Sequence, residues 1–159
     1  MTTHLFKSLE RYRQTTISGL LVILLLCPGI VQSVFADNDP EYQFHMGEQY
    51  YNRGDYDNAI EAFSVAVASA PSESVYYHWL GKSYGRLAEK SGLLKAYNLS
   101  GKTRDALEQA VALDNTNVAA LLDLLEYYEN APVFLGGGKD KASGIRQRLL
   151  ELGHQTGGS

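Results

Sequence analysis

Residues 37–159 repeat themselves, and this self-similarity limits the fold more than any other feature of the chain. Met46-Gly47-x-x-Tyr50 returns as Leu80-Gly81-x-x-Tyr84 at an offset of 34 residues, a period at which chains build stacked two-helix units instead of one closed core. Downstream of the first copy come Ala59, Phe63, Ala66 and Pro71, spaced as one face of a second helix followed by its stop. Arg53-Gly54-Asp55-Tyr56 marks the turn between the two helices. The glycines have a packing reason. Without a β-carbon, Gly47 and Gly81 let the partner helix come close, and Ala59 and Ala66 do the same from the other side. Tyr50, Phe63, Tyr84, Leu107 and Tyr128 are then expected to fill the space between helices.

This unit resembles the tetratricopeptide repeat, whose pattern places an aromatic or apolar residue, Leu, Gly and Tyr on a first helix, and Ala, Phe and Pro on a second. The copy at residues 40–73 carries all but the leading aromatic, where Gln43 stands. The copy at 74–117 opens with Tyr77, Leu80, Gly81 and Tyr84 and closes with Thr103, Leu107, Ala110 and Asn115. Phe63 to Leu107 is 44 residues, ten more than the period, so an inserted loop is expected between its helices. The copy at 118–152 reads Leu121, Leu124, Leu125 and Tyr128, with Leu125 in the glycine's place and a second helix from about Lys139 to Leu152; residues 153–159 form a tail. The resemblance implies an all-α fold, a short right-handed solenoid of about three helix-turn-helix repeats. Ala131-Pro132, the triple glycine at 136–138 and Lys141-Ala142 also look like a motif of small exported bacterial members of the family.

The N-terminal segment reads as an address. Residues 1–16 are polar and hold Lys7, Arg11 and Arg13, and residues 17–31 are apolar apart from Ser18, Gly19 and Pro28-Gly29. That run is short of the roughly 20 residues a membrane span needs. Val34-Phe35-Ala36 puts small side chains where a signal peptidase reads them, so residues 1–36 are expected to be a signal peptide cleaved after Ala36, with the product in the periplasm. An uncleaved N-terminal anchor is the alternative. Cys27, the one cysteine, would leave with the segment, and Leu26 before it does not suit lipidation. Residues 37–159 keep 11 basic and 17 acidic side chains. This balance argues against a nucleic-acid partner and against attraction to an anionic membrane surface.

On the first helix of each copy a second face lies about 100–140° around the wheel from the core residues. It carries Phe44, Glu48 and Tyr51, then His78, Lys82 and Arg86, then Leu122 and Glu126. The resemblance places this face in a concave groove that takes an extended peptide or a partner helix. The basic and asparagine clamp with which some members hold a terminal carboxylate is absent, since Phe44, Glu48 and Leu122 occupy its positions. Lys82 and Arg86, one turn apart, suit an acidic side chain. Residues 91–101 and 131–138 are apolar loops whose Leu94, Tyr97, Phe134 and Leu135 should be neighbours on one edge, either sealing the array or forming a lip for a partner.

Gly136-Gly137-Gly138-Lys139 fails the phosphate-loop spacing, because Val133 takes the first glycine position and Asp140 follows the lysine. Glycines for a tight loop account for it better. His45 and His78 lack paired metal-ligand spacing, and no nucleophile, base or carboxylate constellation stands out, so neither a metal nor another cofactor is expected. The expected function is a non-catalytic protein-binding adaptor or scaffold in the bacterial envelope. An accessory subunit of an enzyme and a homo-oligomerisation module are the alternatives.

Overall fold

A computed structural model describes residues 39–154. Helix starts follow the side chains that precede them. Asp39 Oδ1 accepts the Glu41 N–H at 3.0 Å, with Pro40 already holding the helical φ, and opens α1 (Pro40–Asn52). Asp55 likewise caps α2 (Tyr56–Ser69) through the Asn58 N–H. Helices α3 (Ser74–Glu89) and α4 (Leu93–Leu113) begin without a side-chain cap. Asn117 Oδ1 accepts the Ala120 N–H at 3.1 Å to start α5 (Val118–Asn130). A single 3-10 turn, Val133–Leu135, precedes α6 (Lys139–Glu151). α6 ends on Gly153 at φ 81°, where the His154 and Gly153 N–H groups return to the Leu149 and Leu150 carbonyls, a hydrogen-bonded stop that a β-carbon would strain. The described residues are thus all-α.

Each helix packs on the next along the chain, and α1 also meets α3 and α3 meets α5, so the odd-numbered helices neighbour one another. The core follows the glycine and aromatic spacing. A β-carbon on Gly47 would lie 2.5 Å from the Phe63 ring, and one on Gly81 would lie 3.0 Å from Leu107. Ala59, Phe63 and Ala66 are wholly buried. Phe44, Tyr51 and Trp79 close around Phe63 to form an aromatic layer across α1, α2 and α3. In the third pair, Leu125 is buried with Leu107, Leu121, Leu124 and Leu149, so leucines fill the space that a glycine and an aromatic ring fill earlier.

The ten-residue insertion is not a loop. Helix α3 has 16 residues against 13 in α1, and α4 has 21 against 14 in α2, so the extra three and seven residues lengthen two antiparallel helices at the same end. Ser and Gly in residues 91–101 suggest a turn, but Leu99 is buried against Tyr56 and Leu87, and an apolar anchor on a paired helix outweighs the roughly 1 kcal/mol that one internal glycine costs.

The turns fall on two edges. On one, Lys95 at the start of α4 reaches Asp57 at the start of α2 at 3.6 Å, and the Tyr97 and Phe134 rings stack 6.5 Å apart. On the other, Ser74 Oγ donates to the Ala110 carbonyl at 2.8 Å and accepts from Asn117 Nδ2 at 2.9 Å, tying the ends of α3, α4 and α5.

Candidate functional site

Small side chains leave a groove between the C-terminal halves of α3 and α5. Gly81 and Gly85 on α3, with Ala96, Ser100 and Thr103 on α4, make its floor, and the cavity above them measures about 580 Å³. Lys82, Arg86 and Glu89 form one wall and Asp123, Glu126 and Asn130 the other, while Tyr51 and Tyr127 supply aromatic surface. Residues 82, 85, 86 and 89 and residues 123, 126, 127 and 130 are two stripes of the same i, i+3, i+4, i+7 spacing, turned toward each other.

The charges differ in how firmly they are held. Lys82 Nζ lies 4.4 Å from the centre of the Trp79 ring and 5.4 Å from that of Tyr51, a cationic head resting on two π-faces. Arg86 donates to Glu89 at 2.8 Å on the exposed rim, and a hydrogen bond to Tyr56, then the Glu89 charge, pushes its already high pKa further up. Asp123 is bonded to His78 at 2.7 Å. The phenols around the groove stay protonated: burial raises Tyr51, partly offset by Arg86, and burial also raises Tyr127. Tyr128 is pushed far above the usual tyrosine range by burial and by the Glu108 carboxylate that accepts its O–H.

Of the side chains expected on this face, Tyr51, Lys82, Arg86 and Glu126 meet in the groove. Four do not. Phe44 stacks on Tyr76 at 4.9 Å inside the aromatic layer. Glu48 sits 2.9 Å from His45 on α1, and Leu122 is exposed outside the cavity lining. His78 is only 5% exposed and is a buried partner of Asp123, because α5 packs across the face of α3 that a single-helix wheel leaves open. Glu89 at the end of α3 and Asp123, Tyr127 and Asn130 on α5 also line the groove; the expected face does not include them, although the i, i+3, i+4, i+7 stripe on α5 is present in the spacing.

Residues 131–138 form a fixed rim. The Leu135 carbonyl accepts the Tyr127 O–H at 2.9 Å and an Arg104 N–H at 3.2 Å, which turns Leu135 into the groove. The glycines serve geometry: Gly136 has φ 90°, and a β-carbon on Gly137 would overlap the Ala131 carbonyl oxygen. Beside the rim, Leu94 and Phe134 are 79% and 74% exposed and Tyr97 is half exposed, so this apolar edge stands in solvent. Among the described residues, no group of three or more His, Cys, Asp or Glu side chains is arranged to hold a metal ion. No protein-family profile matches the chain, and no curated protein matches it.

Proposed function

We propose that the chain is an exported adaptor of the tetratricopeptide-repeat type, with its paired helices stacked as a short right-handed solenoid, and that it holds a peptide or a partner helix in the groove between α3 and α5. The observation that carries this reading is the pair of facing stripes: a cavity of about 580 Å³ with a small-residue floor, Lys82 and Arg86 on one wall and Asp123 and Glu126 on the other. Such a groove admits a chain segment or side chain of the partner, and opposite charges on its walls fix the orientation of what enters. The glycine periodicity and the packing of each helix on the next support the repeat reading.

The test separates binding from folding. Arg86 and Glu126 are exposed and lie on opposite walls, so Arg86→Glu with Glu126→Lys should move the melting temperature little, within the ~0.5 kcal/mol usual for surface changes. The same pair should remove the proteins captured by the parent from an envelope extract, at least tenfold by quantitative mass spectrometry. An unchanged captured set would exclude the groove as the binding site. Tyr51 is unsuitable for this purpose, since its ring packs edge-on against Trp79 at 5.2 Å and its loss would weaken the fold.

Export belongs to the same proposal. Residues 1–38 lie outside the described residues, and no described helix is long and apolar enough to cross a membrane. The protein recovered from its native compartment should begin at Asp37 by intact-mass analysis; an intact Met1 terminus in a membrane fraction would make the segment an anchor.

A further inference from the structure

The charges that line the groove divide into those already engaged within the protein and those left over. On the α3 wall Arg86 is bonded to Glu89 at 2.8 Å, and on the α5 wall Asp123 is bonded to His78 at 2.7 Å. Among the described residues, no ion-pair partner lies within 4.0 Å of Lys82 Nζ or of the Glu126 carboxylate. Lys82 is not loose, because its ammonium rests on the Trp79 and Tyr51 rings. That contact offers a π-face and no counter-charge. Nearby arginines do not fill the gap: Arg104, beside Tyr127, is bonded to Asp105 at 2.6 Å, and Arg146 is bonded to Glu129. Counted in full, the α3 wall carries Lys82 and Arg86 against Glu89, and the α5 wall carries Asp123 and Glu126 with no basic residue. His78 cancels the Asp123 charge only when protonated, and Glu126 remains in either case.

Whatever covers the groove takes both walls out of water. An apolar occupant would leave a cation and a carboxylate covered and unanswered, and an occupant of a single sign would answer one wall and repel the other. An occupant with both signs leaves neither wall uncompensated. The floor decides where its charges go. Gly81, Gly85 and Ala96 bring no polar side chain, and the Ser100 and Thr103 hydroxyls donate to the Ala96 and Leu99 carbonyls one turn back. Backbone and side-chain stems of the occupant can lie on this uncharged floor, so its ionic groups belong at the walls. With Lys82 already set on two rings, little ordering of that side chain is lost on binding.

We propose that the segment held in the groove carries both an acidic and a basic side chain, the acid meeting Lys82 on the α3 wall and the base meeting Glu126 on the α5 wall. The inference rests on the groove being the binding site and adds the chemistry of its occupant. The probe is a displayed library of random dodecapeptides offered to the immobilised full chain. Sequences enriched by the parent should hold an acid and a base at a recurring spacing. Lys82→Glu with Glu126→Lys should enrich the same spacing with the two signs exchanged, and each protein should bind the other's peptides at least tenfold more weakly by fluorescence anisotropy. Glu61→Lys with Lys139→Glu, an exchange between exposed residues outside the groove, should leave the selected sequences as they were. If the exchanged variant melts early, Lys82→Gln alone should drop the acid from the selected sequences and keep the base. Amide NMR shifts place the peptide, and those of Gly81, Gly85 and Ser100 should move. Peptides that move these amides but are uncharged, carry one sign, or are indifferent to the exchange overturn the proposal and leave the groove reading standing. If no peptide is enriched, or the enriched ones move other amides, both fall together.

Discussion

Phe63→Ala should destabilise the protein by about 3–5 kcal/mol, the usual cost of removing a buried aromatic ring without collapse of the space it leaves. Phe63 is wholly buried, and collapse is hindered because Gly47, which faces the ring, has no side chain to move in. Trp79, whose ring centre is 5.8 Å away, is held by Phe44 and Tyr51 on its other sides. Thermal melts followed by circular dichroism should fall by on the order of 10–20 °C for a domain of this size. Gly47→Ala tells whether the pairing is the cause. In the parent, the added methyl would lie 2.5 Å from the ring and should destabilise. With Phe63 already replaced by alanine, the same methyl enters the vacated space and adds helix propensity, so it should restore stability. Additive effects in this double-mutant cycle would show that α1 and α2 do not pack in this register.

Gly81→Leu is the second large effect. The first added carbon alone would stand 3.0 Å from the Leu107 side chain and 3.3 Å from the Leu107 backbone nitrogen, and a backbone atom cannot rotate away. Three further carbons must then part α3 from α4. Overpacking of this kind costs about 1–3 kcal/mol or more, against about 1 kcal/mol gained in helix propensity. Because Gly81 also lies in the groove floor, the variant should lose partner capture along with melting temperature. Gly85→Ala, one turn further on, is the contrast: its β-carbon would meet Thr103 at an ordinary 3.5 Å, so stability should hold or rise. If the two glycines respond alike, the close approach of α3 and α4 is not centred on Gly81.

These two positions show what was legible before folding. Gly47 with Phe63 and Gly81 with Leu107 recur at related spacings because each two-helix unit must bring its members close at one point, and a close approach is written locally as a missing β-carbon opposite a large side chain. The same repeat spacing marked the helices α1, α2, α5 and α6, while their caps at Asp39, Asp55 and Asn117 and the stop at Gly153 are seen in the structure. That spacing failed at residues 91–101, where serine and glycine suggest a turn and the burial of Leu99 against Tyr56 and Leu87 decides for a helix from Leu93 onward.

The amino-acid sequence by itself determined that the described part of this chain is helical, where its helices pair, and that Lys82, Arg86 and Glu126 stand on faces turned away from the paired cores. Tertiary structure decided what lies across from each face. A helical wheel gives the direction of a side chain about its own axis, but whether that direction meets water or a neighbouring helix depends on residues far along the chain. His78 is buried because Asp123, 45 residues away, reaches it from α5. Phe44 is half-buried against the core by Tyr76 and Trp79 of α3. The groove exists because the stripes on α3 and α5 face each other across small side chains of a third helix, and Val133 and Phe134 stay in solvent because hydrogen bonds from Arg104 and Tyr127 turn Leu135 inward instead. Each of these outcomes is set by the distance between helices, which local periodicity does not encode.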